Sequence, residues 1–192
     1  MRRAAFLLLS VPLGFVGYAA RSSTYSKIDR CLAQPDSAWN YRTRSCEGAP
    51  DGPVDRIYID KSEHWMAAYR QGQIIREFRV SLGPGGLKPK EKAGDGRVPE
   101  GLYTISMHNP VSAYHLSLRI SYPTLEQSAE AAARGVNPGG DIMIHGLPNA
   151  RGWVGSRHQM VDWTEGCIAV TNAEMDWLYR VVPDGTVVEI RA

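Results

Sequence analysis

The sequence shows no strong bias in charge. Its 192 residues include 22 Lys and Arg against 20 Asp and Glu, which leaves a formal net charge of +2. A nucleic-acid-binding domain normally presents a clustered basic face, so no nucleic-acid partner is predicted. Internal repeats and low-complexity tracts are also absent. A chain of this length is therefore most simply one domain with short additional segments.

Motifs that bind common cofactors and metals are missing as well. The sequence contains no C-x-x-C or H-x-x-H pair, and the glycines over residues 83–86 lack the strand-then-helix setting of a phosphate-binding loop. Neither a cofactor nor a metal is therefore predicted. The remaining metal alternative is a zinc site built from His145, His158, Cys167 and Asp162, whose spacing in the sequence is poor for zinc.

The one long apolar run lies at the N-terminus. Arg2 and Arg3 precede an apolar stretch over residues 4–20, and polar residues follow from Arg21. This is the layout of an export signal, so residues 1–20 are predicted to be a signal peptide or signal anchor. Small residues permit cleavage after Ala19, although the run is nearly long enough to remain as a membrane anchor. The predicted location is the periplasm or cell envelope, with a membrane contact only through this segment if it is retained.

Cysteine is scarce, with three residues in the whole chain. Cys31 and Cys46 flank a short polar loop and can close it as a disulfide in an oxidising compartment. The alternative is that both are free buried thiols. Cys167 has no partner in either case, and an unpaired thiol in an oxidising space is a liability unless it has a chemical task. This favours a nucleophilic role for Cys167.

The residues around Cys167 fit that role. A cysteine reacts as its thiolate, and because the free pKa is about 8.5 it needs a base or a helix N-terminus close by. Gly166 allows a sharp turn before the thiol, and a helix is predicted to begin soon after it. His145 ends an apolar strand, and the Gly146 carbonyl can set its tautomer. We predict Cys167 as nucleophile at an exposed turn, His145 as general base, and the backbone of Gly146, Gly166 and Cys167 as orienting and oxyanion-binding groups.

The remaining pattern is that of a mainly β protein. A breaker-rich stretch over residues 47–53 marks the start of the main domain, and residues 83–97 form a long exposed loop that is expected to shape a cleft, its lysines lying on the solvated surface. The strands are predicted over 56–60, 64–69, 74–82, 102–107, 114–120, 141–144 and 186–190, the hairpin tip over 71–73, and the helices over 125–134 and 172–181.

Two segments carry a family resemblance. The strand that ends in Ile144-His145-Gly146, followed by Thr164-Glu165-Gly166-Cys167-Ile168 and then Asn172, resembles the L,D-transpeptidase (YkuD-like) catalytic domain of bacterial cell-wall enzymes. Residues 94–105, 117–123 and 138–141 look like further family segments, so the resemblance spans about residues 55–190. It implies a β-sandwich of mixed sheets with one or two short helices. The predicted domains are an N-terminal segment over 21–53, with the disulfide loop, and a catalytic domain over 54–192.

Two positions depart from the usual family pattern. The common form has histidine directly before the glycine and arginine two residues after the cysteine, where this chain has Glu165 and Ala169. The arginine is a natural clamp for a substrate carboxylate, and Arg119, Arg151 and Arg157 are the candidate replacements. The predicted substrate-binding residues are Glu165, Thr164, Asn172, Trp163, Tyr122 and Arg119.

The resemblance implies a reaction on peptidoglycan stem peptides in cell wall biogenesis. Cys167 would attack the carbonyl that links diaminopimelate to a D-amino acid and form a thioester. An acceptor amine resolves the thioester in a transpeptidase, and water resolves it in an L,D-carboxypeptidase or endopeptidase. A non-catalytic wall-binding module is the third reading.

The other histidines and tryptophans are given lesser roles. His158, in a glycine-rich loop, is expected to be solvent-exposed, and His64, His108 and His115 are expected at the surface or in satisfied core positions. Trp153 and Trp163 are expected to pack under the active-site loop, with a part in shaping the substrate groove as the alternative.

Overall fold

A computed structural model describes residues 52–192 and the two short strands β1 (Ala38–Asn40) and β2 (Ser45–Glu47). The chain divides into two compact units, Met1–Pro50 and Asp51–Ala192, and β1 and β2 form an antiparallel hairpin within the first. The predicted export signal, Cys31 and the side chain of Cys46 lie outside the described residues. The signal, the disulfide and the domain boundaries therefore stay predictions.

The second unit is built on one eight-stranded mixed sheet with the order β5-β4-β3-β10-β6-β7-β8-β9. Its strands are β3 (Arg56–Asp60), β4 (Trp65–Arg70), β5 (Gln73–Arg79), β6 (Gly101–Asn109), β7 (Ser117–Ile120), β8 (Met143–His145), β9 (Ile168–Ala169) and β10 (Val187–Arg191). The helices are α1 (Leu125–Ala133), α2 (Asn172–Val181) and a 3-10 helix (Gly152–Met160). The predicted mainly-β fold class is confirmed. Within the described part of the chain, no helix has both the length and the apolar character needed to cross a membrane.

The antiparallel start of the sheet follows directly from the sequence. Ile57 and Ile59 of β3 are fully buried while their neighbours are not, as alternation across a half-buried strand requires. β4 and β5 are joined at Gln71 and Gly72, whose φ angles are 51° and 75°. Two positive φ values suit the tight turn that matches the twist of a hairpin, so the predicted tip is confirmed.

Strand β6 belongs to both halves of the sheet. It pairs through Gly101–Thr104 with β10 and through Ile105–Asn109 with β7, with a register shift between Ile105 and Met107. A shift of this kind bends a strand and increases its twist, which lets the sheet curl around one core. The core side chains that are fully buried include Ile57, Met66, Leu118, Ile144, Ile168, Met175 and Leu178.

Both α-helices begin with a capping box. Thr124 and Gln127 cap α1, and Thr171 and Glu174 cap α2, each pair exchanging side-chain and backbone hydrogen bonds. This arrangement satisfies amide groups that the first helical turn otherwise leaves unpaired. The helix predicted over 172–181 is confirmed.

Two predicted strands start later in the structure than in the prediction. β8, predicted over 141–144, starts later because Asp141 has a left-handed φ of 53°. β7, predicted over 114–120, starts later because His115 has a φ of 68°. Residues other than glycine seldom adopt this conformation. Asp and His adopt it more often than most, but their presence alone does not predict it.

Candidate active site

The pairing of β8 with β9 brings the predicted base and nucleophile together. The strands are parallel, with Ile144 opposite Ile168 and His145 opposite Ala169. Both isoleucines are fully buried in the core, so the alternate side chains of the two strands face the other way. Cys167 directly precedes β9 and shares that face with His145. The register places their Cα atoms about 8 Å apart, and both side chains line one cleft of about 340 Å³.

His145 is held in one tautomer. Its side chain is buried, and Nδ1 donates to the carbonyl oxygen of Gly146 at 2.7 Å, which leaves the lone pair on Nε2. Burial lowers the pKa of His145 from 6.5 to about 4, so the ring is neutral near pH 7. The ring lies 4.6 Å from that of Tyr114 and 5.7 Å from that of Trp163, between centroids. His145 is therefore oriented and able to accept a proton.

The backbone beyond His145 is fixed by its own contacts. The amide of Gly146 donates to the Leu116 carbonyl at 3.2 Å, and the amide of Leu147 donates to Oδ1 of Asn172 at 2.8 Å. Asn172 is the first residue of α2, so the helix start braces the segment that carries the Gly146 carbonyl. The Asn172 side chain lines neither cleft beside the thiol. Its contact here is with the protein backbone.

Cys167 is half-buried, less open than the predicted exposed turn. Its Sγ donates to the carbonyl oxygen of Asp141 at 3.6 Å, and no hydrogen bond joins it to His145. Burial raises the pKa of the thiol; the Met143 backbone and the charge of Lys90 oppose this, while Glu165 and Asp141 add to it. The resting pair is therefore a neutral thiol and a neutral imidazole. The base and the helix start that the sequence places near Cys167 therefore do not ionise the thiol in this state.

The turn before Cys167 depends on a glycine and a buried threonine. Gly166 has a φ of 110°, and a Cβ atom there would lie 2.6 Å from the carbonyl oxygen of Arg97. Thr164 is buried; its hydroxyl donates to the Cys167 carbonyl at 2.8 Å and accepts from the Gly166 amide at 3.3 Å. Its own amide donates to the Leu82 carbonyl at 3.0 Å. Local sequence thus shapes the turn, and residues near position 82 anchor it.

The loop over residues 83–97 is an ordered wall of the site. Asp95 accepts hydrogen bonds from Nζ of Lys90 (2.8 Å) and from the amides of Glu91, Lys92 and Arg97. Burial raises the pKa of Asp95, but these four bonds outweigh it and hold the pKa well below its usual range. The predicted role in shaping a cleft is confirmed. The expectation that its lysines are solvated is wrong for Lys90, whose side chain is only 3% exposed.

Two clefts meet at the thiol. The larger, of about 630 Å³, is lined by the 83–97 loop and residues 139–142. The smaller contains His145, Tyr114 and Trp163. The residues that line both are Asp141, Thr164, Glu165 and Cys167. The nucleophile is thus accessible from two sides, and only the smaller cleft contains the base.

The predicted substrate-binding residues are not all at the clefts. Glu165, Thr164 and Trp163 line them, whereas Arg119 and Tyr122 do not. One guanidinium nitrogen of Arg119 lies 3.1 Å from the Asp141 carboxylate, so this side chain reaches the site only through that partner. Tyr122 is buried, and its hydroxyl donates to the Pro138 carbonyl at 2.9 Å. Tyr122 therefore supports the cleft wall from behind.

The expectation that His158 is solvent-exposed is wrong. It is 5% exposed, and Ser81 explains its burial. The Ser81 hydroxyl donates to the His158 carbonyl at 2.8 Å, so its oxygen accepts from Nδ1 at 3.0 Å. Ser81 also exchanges backbone hydrogen bonds with Ala169 and thereby covers the free edge of β9.

The remaining histidines each contact a carboxylate. The pairs are His64 with Asp162, His108 with Asp184, and His115 with Asp176. Asp162 also accepts from the Leu82 amide at 2.9 Å, so the proposed zinc quartet is divided between separate hydrogen-bond networks. The part of the chain that the structure describes has no group of three or more His, Cys, Asp or Glu side chains placed to hold a metal.

The two tryptophans differ. Trp153 is 80% exposed, so its predicted packing under the active-site loop is wrong. Trp163 contacts the rings of both His145 and His158, with centroid distances of 5.7 and 6.4 Å, and it also lines the smaller cleft. Trp163 therefore fits both predicted roles, because it packs against buried side chains at the site and also forms part of the cleft wall.

Sequence reasoning missed Asp141, Tyr114 and Lys90 as site residues. Asp141 offered one signal, an acidic residue between two glycines and an apolar strand that ends in histidine. Tyr114 and Lys90 reach the site through turns and loop contacts that no local pattern encodes.

The sequence matches a known family of catalytic domains. The L,D-transpeptidase (YkuD) catalytic domain family matches residues 54–190. YafK of Escherichia coli strain K12, itself only provisionally assigned as an L,D-transpeptidase, is 29% identical over 133 residues, which cover 66% of this chain and 46% of YafK. The chain thus spans about half the length of that relative.

Solved structures show the same fold. The helical cell shape determining protein Pgp2 from Campylobacter jejuni superposes with a TM-score of 0.55 at 22% identity, over 87% of this chain and 54% of Pgp2. An L,D-transpeptidase from Mycobacterium smegmatis gives 0.50 at 17% identity, over 72% of this chain and 59% of that one. With a family match over most of its length and the fold of these proteins, this chain belongs to the L,D-transpeptidase (YkuD) catalytic domain family.

Proposed function

We propose that this protein is a cysteine-dependent acyltransferase of the cell envelope that acts on peptidoglycan stem peptides. One observation carries the proposal. A neutral imidazole with its lone pair on Nε2 and a thiol share one face of β8 and β9, at the point where two clefts meet. A nucleophile and a base in this relation are what acyl transfer requires.

In the first step the Cys167 side chain rotates from the Asp141 carbonyl toward Nε2 of His145. The sulfur attacks the carbonyl that links diaminopimelate to a D-amino acid, and its proton moves to Nε2. The backbone amide of Cys167 is the proposed donor to the oxyanion. The carbon–nitrogen bond then breaks, and Nε2 returns the proton to the leaving amine. The products are a thioester on Cys167 and a free D-amino acid.

The second step indicates which part of the substrate occupies each cleft. An incoming amine must lose a proton to the same base that protonated the leaving amine, so both amines occupy the cleft that contains His145. The acyl part of the stem then lies in the larger cleft. Hydrolysis would use the same thioester with water in the smaller cleft, so a carboxypeptidase or endopeptidase differs only in the acceptor.

The proposal is tested by intact mass spectrometry of the full-length chain with a carbapenem, an acylating agent that thiol L,D-transpeptidases accept. We expect one adduct per chain on Cys167, no adduct with Cys167→Ala, and at least about 100-fold slower acylation with His145→Ala. His108→Ala is the matched control, because His108 pairs with Asp184 and lines neither cleft. A folded protein with a free thiol and no adduct would favour the non-catalytic wall-binding module.

The products of a stem tetrapeptide that ends in diaminopimelate–D-alanine separate the remaining alternatives. Transfer gives an amide with an added acceptor, whereas hydrolysis gives the tripeptide. Exclusive tripeptide formation in the presence of excess acceptor amine would replace transfer by hydrolysis as the function.

A further inference from the structure

The Glu165 side chain is an exposed carboxylate beside the nucleophile, two residues before Cys167. It lines both clefts, and its charge is one of those that raise the pKa of the thiol. Among the residues that the structure describes, none forms an ion pair or a side-chain hydrogen bond with it. A negative charge thus stands uncompensated next to the reacting sulfur.

The other charges near the thiol are already paired. The Asp141 carboxylate lies 3.1 Å from a guanidinium nitrogen of Arg119. Nζ of Lys90, the cation whose charge acts on the thiol, lies 2.8 Å from Asp95, and both of these side chains are more than 90% buried. Neither cation can turn to Glu165 without giving up its partner. Glu165 is therefore the group at this site whose charge remains available to a bound molecule.

Attack on the thioester by an amine and attack by water differ in the charge that forms on the attacking atom. A neutral amine attacks the thioester carbonyl without prior proton loss, so its nitrogen becomes positive while the carbonyl oxygen becomes negative. Water is a weaker nucleophile, and His145 takes its proton as it attacks, so little positive charge gathers on its oxygen. A carboxylate beside the site therefore stabilises the transition state of amine attack more than that of water attack.

We propose that Glu165 is a specificity-determining residue that directs the thioester toward amines, and in particular toward amines without a carboxylate beside them. The inference rests on the proposed acyl transfer and deepens it. The amine nitrogen bonds to the carbonyl carbon, the carbon–sulfur bond breaks, and the amine proton passes through His145 to Sγ. The sum is thioester plus amine giving amide plus thiol, with no further reactant.

The test compares two acceptors that differ in one charge. The full-length chain receives the stem tetrapeptide with either D-alaninamide or D-alanine, and the ratio of amide product to hydrolysed tripeptide is measured. With Glu165→Gln we expect this ratio for D-alaninamide to fall about two- to fivefold, the size of a charge effect at an exposed site. For D-alanine the ratio should fall less or rise, because its carboxylate is repelled by Glu165. Added salt should lower the wild-type ratio and leave that of the variant unchanged.

Carbapenem acylation of the same variant separates this inference from the proposed function. Acylation of Glu165→Gln should be at least as fast as in the wild type, because the thiol loses a nearby negative charge. Glu130→Gln, which removes an exposed carboxylate on α1 away from both clefts, should change neither readout. Normal acylation with an unchanged product ratio would overturn the role of Glu165 alone. Absence of any acyl-enzyme in the wild type would overturn the proposed function and this inference with it.

Discussion

The carbonyl oxygen of Asp141 accepts the hydrogen bond of the Cys167 thiol, at 3.6 Å, and so holds the nucleophile away from its base. Asp141 has a φ of 53°, a left-handed conformation that aspartate adopts more readily than most residues other than glycine. This backbone conformation presents the Asp141 carbonyl to the sulfur. A thiol that stays protonated resists oxidation, because oxidants react with the thiolate. If the chain is exported, as its N-terminal sequence predicts, this resting position would protect the nucleophile between turnovers.

The first prediction concerns the ionisation of Cys167. Alkylation by iodoacetamide should speed up about tenfold per pH unit between about pH 6 and pH 8, because the pKa of the thiol is raised and only the thiolate reacts. Asp141→Asn should increase the rate by removing a negative charge, since asparagine tolerates the left-handed backbone. A rate that levels off at the acidic end of this range would instead indicate a thiolate–imidazolium pair.

The second prediction concerns stability at acidic pH. The pKa of His145 is about 4 in the folded protein and 6.5 in an unfolded chain, so below pH 6.5 the unfolded state binds more protons. The contribution of His145 to the free energy of unfolding is therefore fully present above about pH 6.5. It decreases by about 3 kcal/mol as the pH falls toward 4.

This is checked by urea unfolding at several pH values, comparing the wild type with His145→Asn. The variant should lose less free energy of unfolding on acidification than the wild type, whatever its stability at neutral pH. His158 also has its pKa lowered by burial, so part of the acid sensitivity should persist in the variant. Parallel pH profiles for the two proteins would contradict a low pKa for His145.

The third prediction uses two glycines that share a positive φ but differ in the space around them. Gly72 has a φ of 75° and no atom near the place of a Cβ, whereas a Cβ at Gly166 would lie 2.6 Å from the Arg97 carbonyl. Gly72→Ala should therefore cost about 1 kcal/mol of folding free energy, and Gly166→Ala about 3 kcal/mol or more. Chemical denaturation measures both. Equal costs would show that the nucleophile turn can shift away from Arg97.

The features that the sequence predicts well are those that neighbouring residues determine. The buried face of β3 follows from alternation, and α2 follows from the Thr171 cap and the apolar spacing after it. Gly166 before Cys167 likewise indicates a sharp turn, and the structure contains one.

Other features depend on partners that are distant in the chain. His158 is buried because Ser81, 77 residues earlier, bonds both its ring and its carbonyl. Lys90 is buried because its ammonium group pairs with Asp95, which also holds the loop in place. Neither contact has a local pattern, so composition alone suggested solvent exposure for both. The φ of Asp141 belongs to the same class, because the tertiary structure and not the residue type imposes it.

The register between β8 and β9 has a consequence for how this site can change. His145 and Cys167 face the cleft only because Ile144 lies opposite Ile168, and a slip of one residue in β9 would turn the thiol into the core. The number of residues between the two strands does not enter this condition. The exposed part of the crossover, residues 150–157, can therefore be lengthened, shortened or exchanged without separating base from nucleophile, provided that Leu147 and His158 keep their buried contacts and β9 keeps its place between β8 and Ser81. The relative position of base and nucleophile thus depends on the pairing register of β8 and β9 and not on the number of residues that connect them. New substrate contacts are therefore best introduced in the exposed part of that crossover.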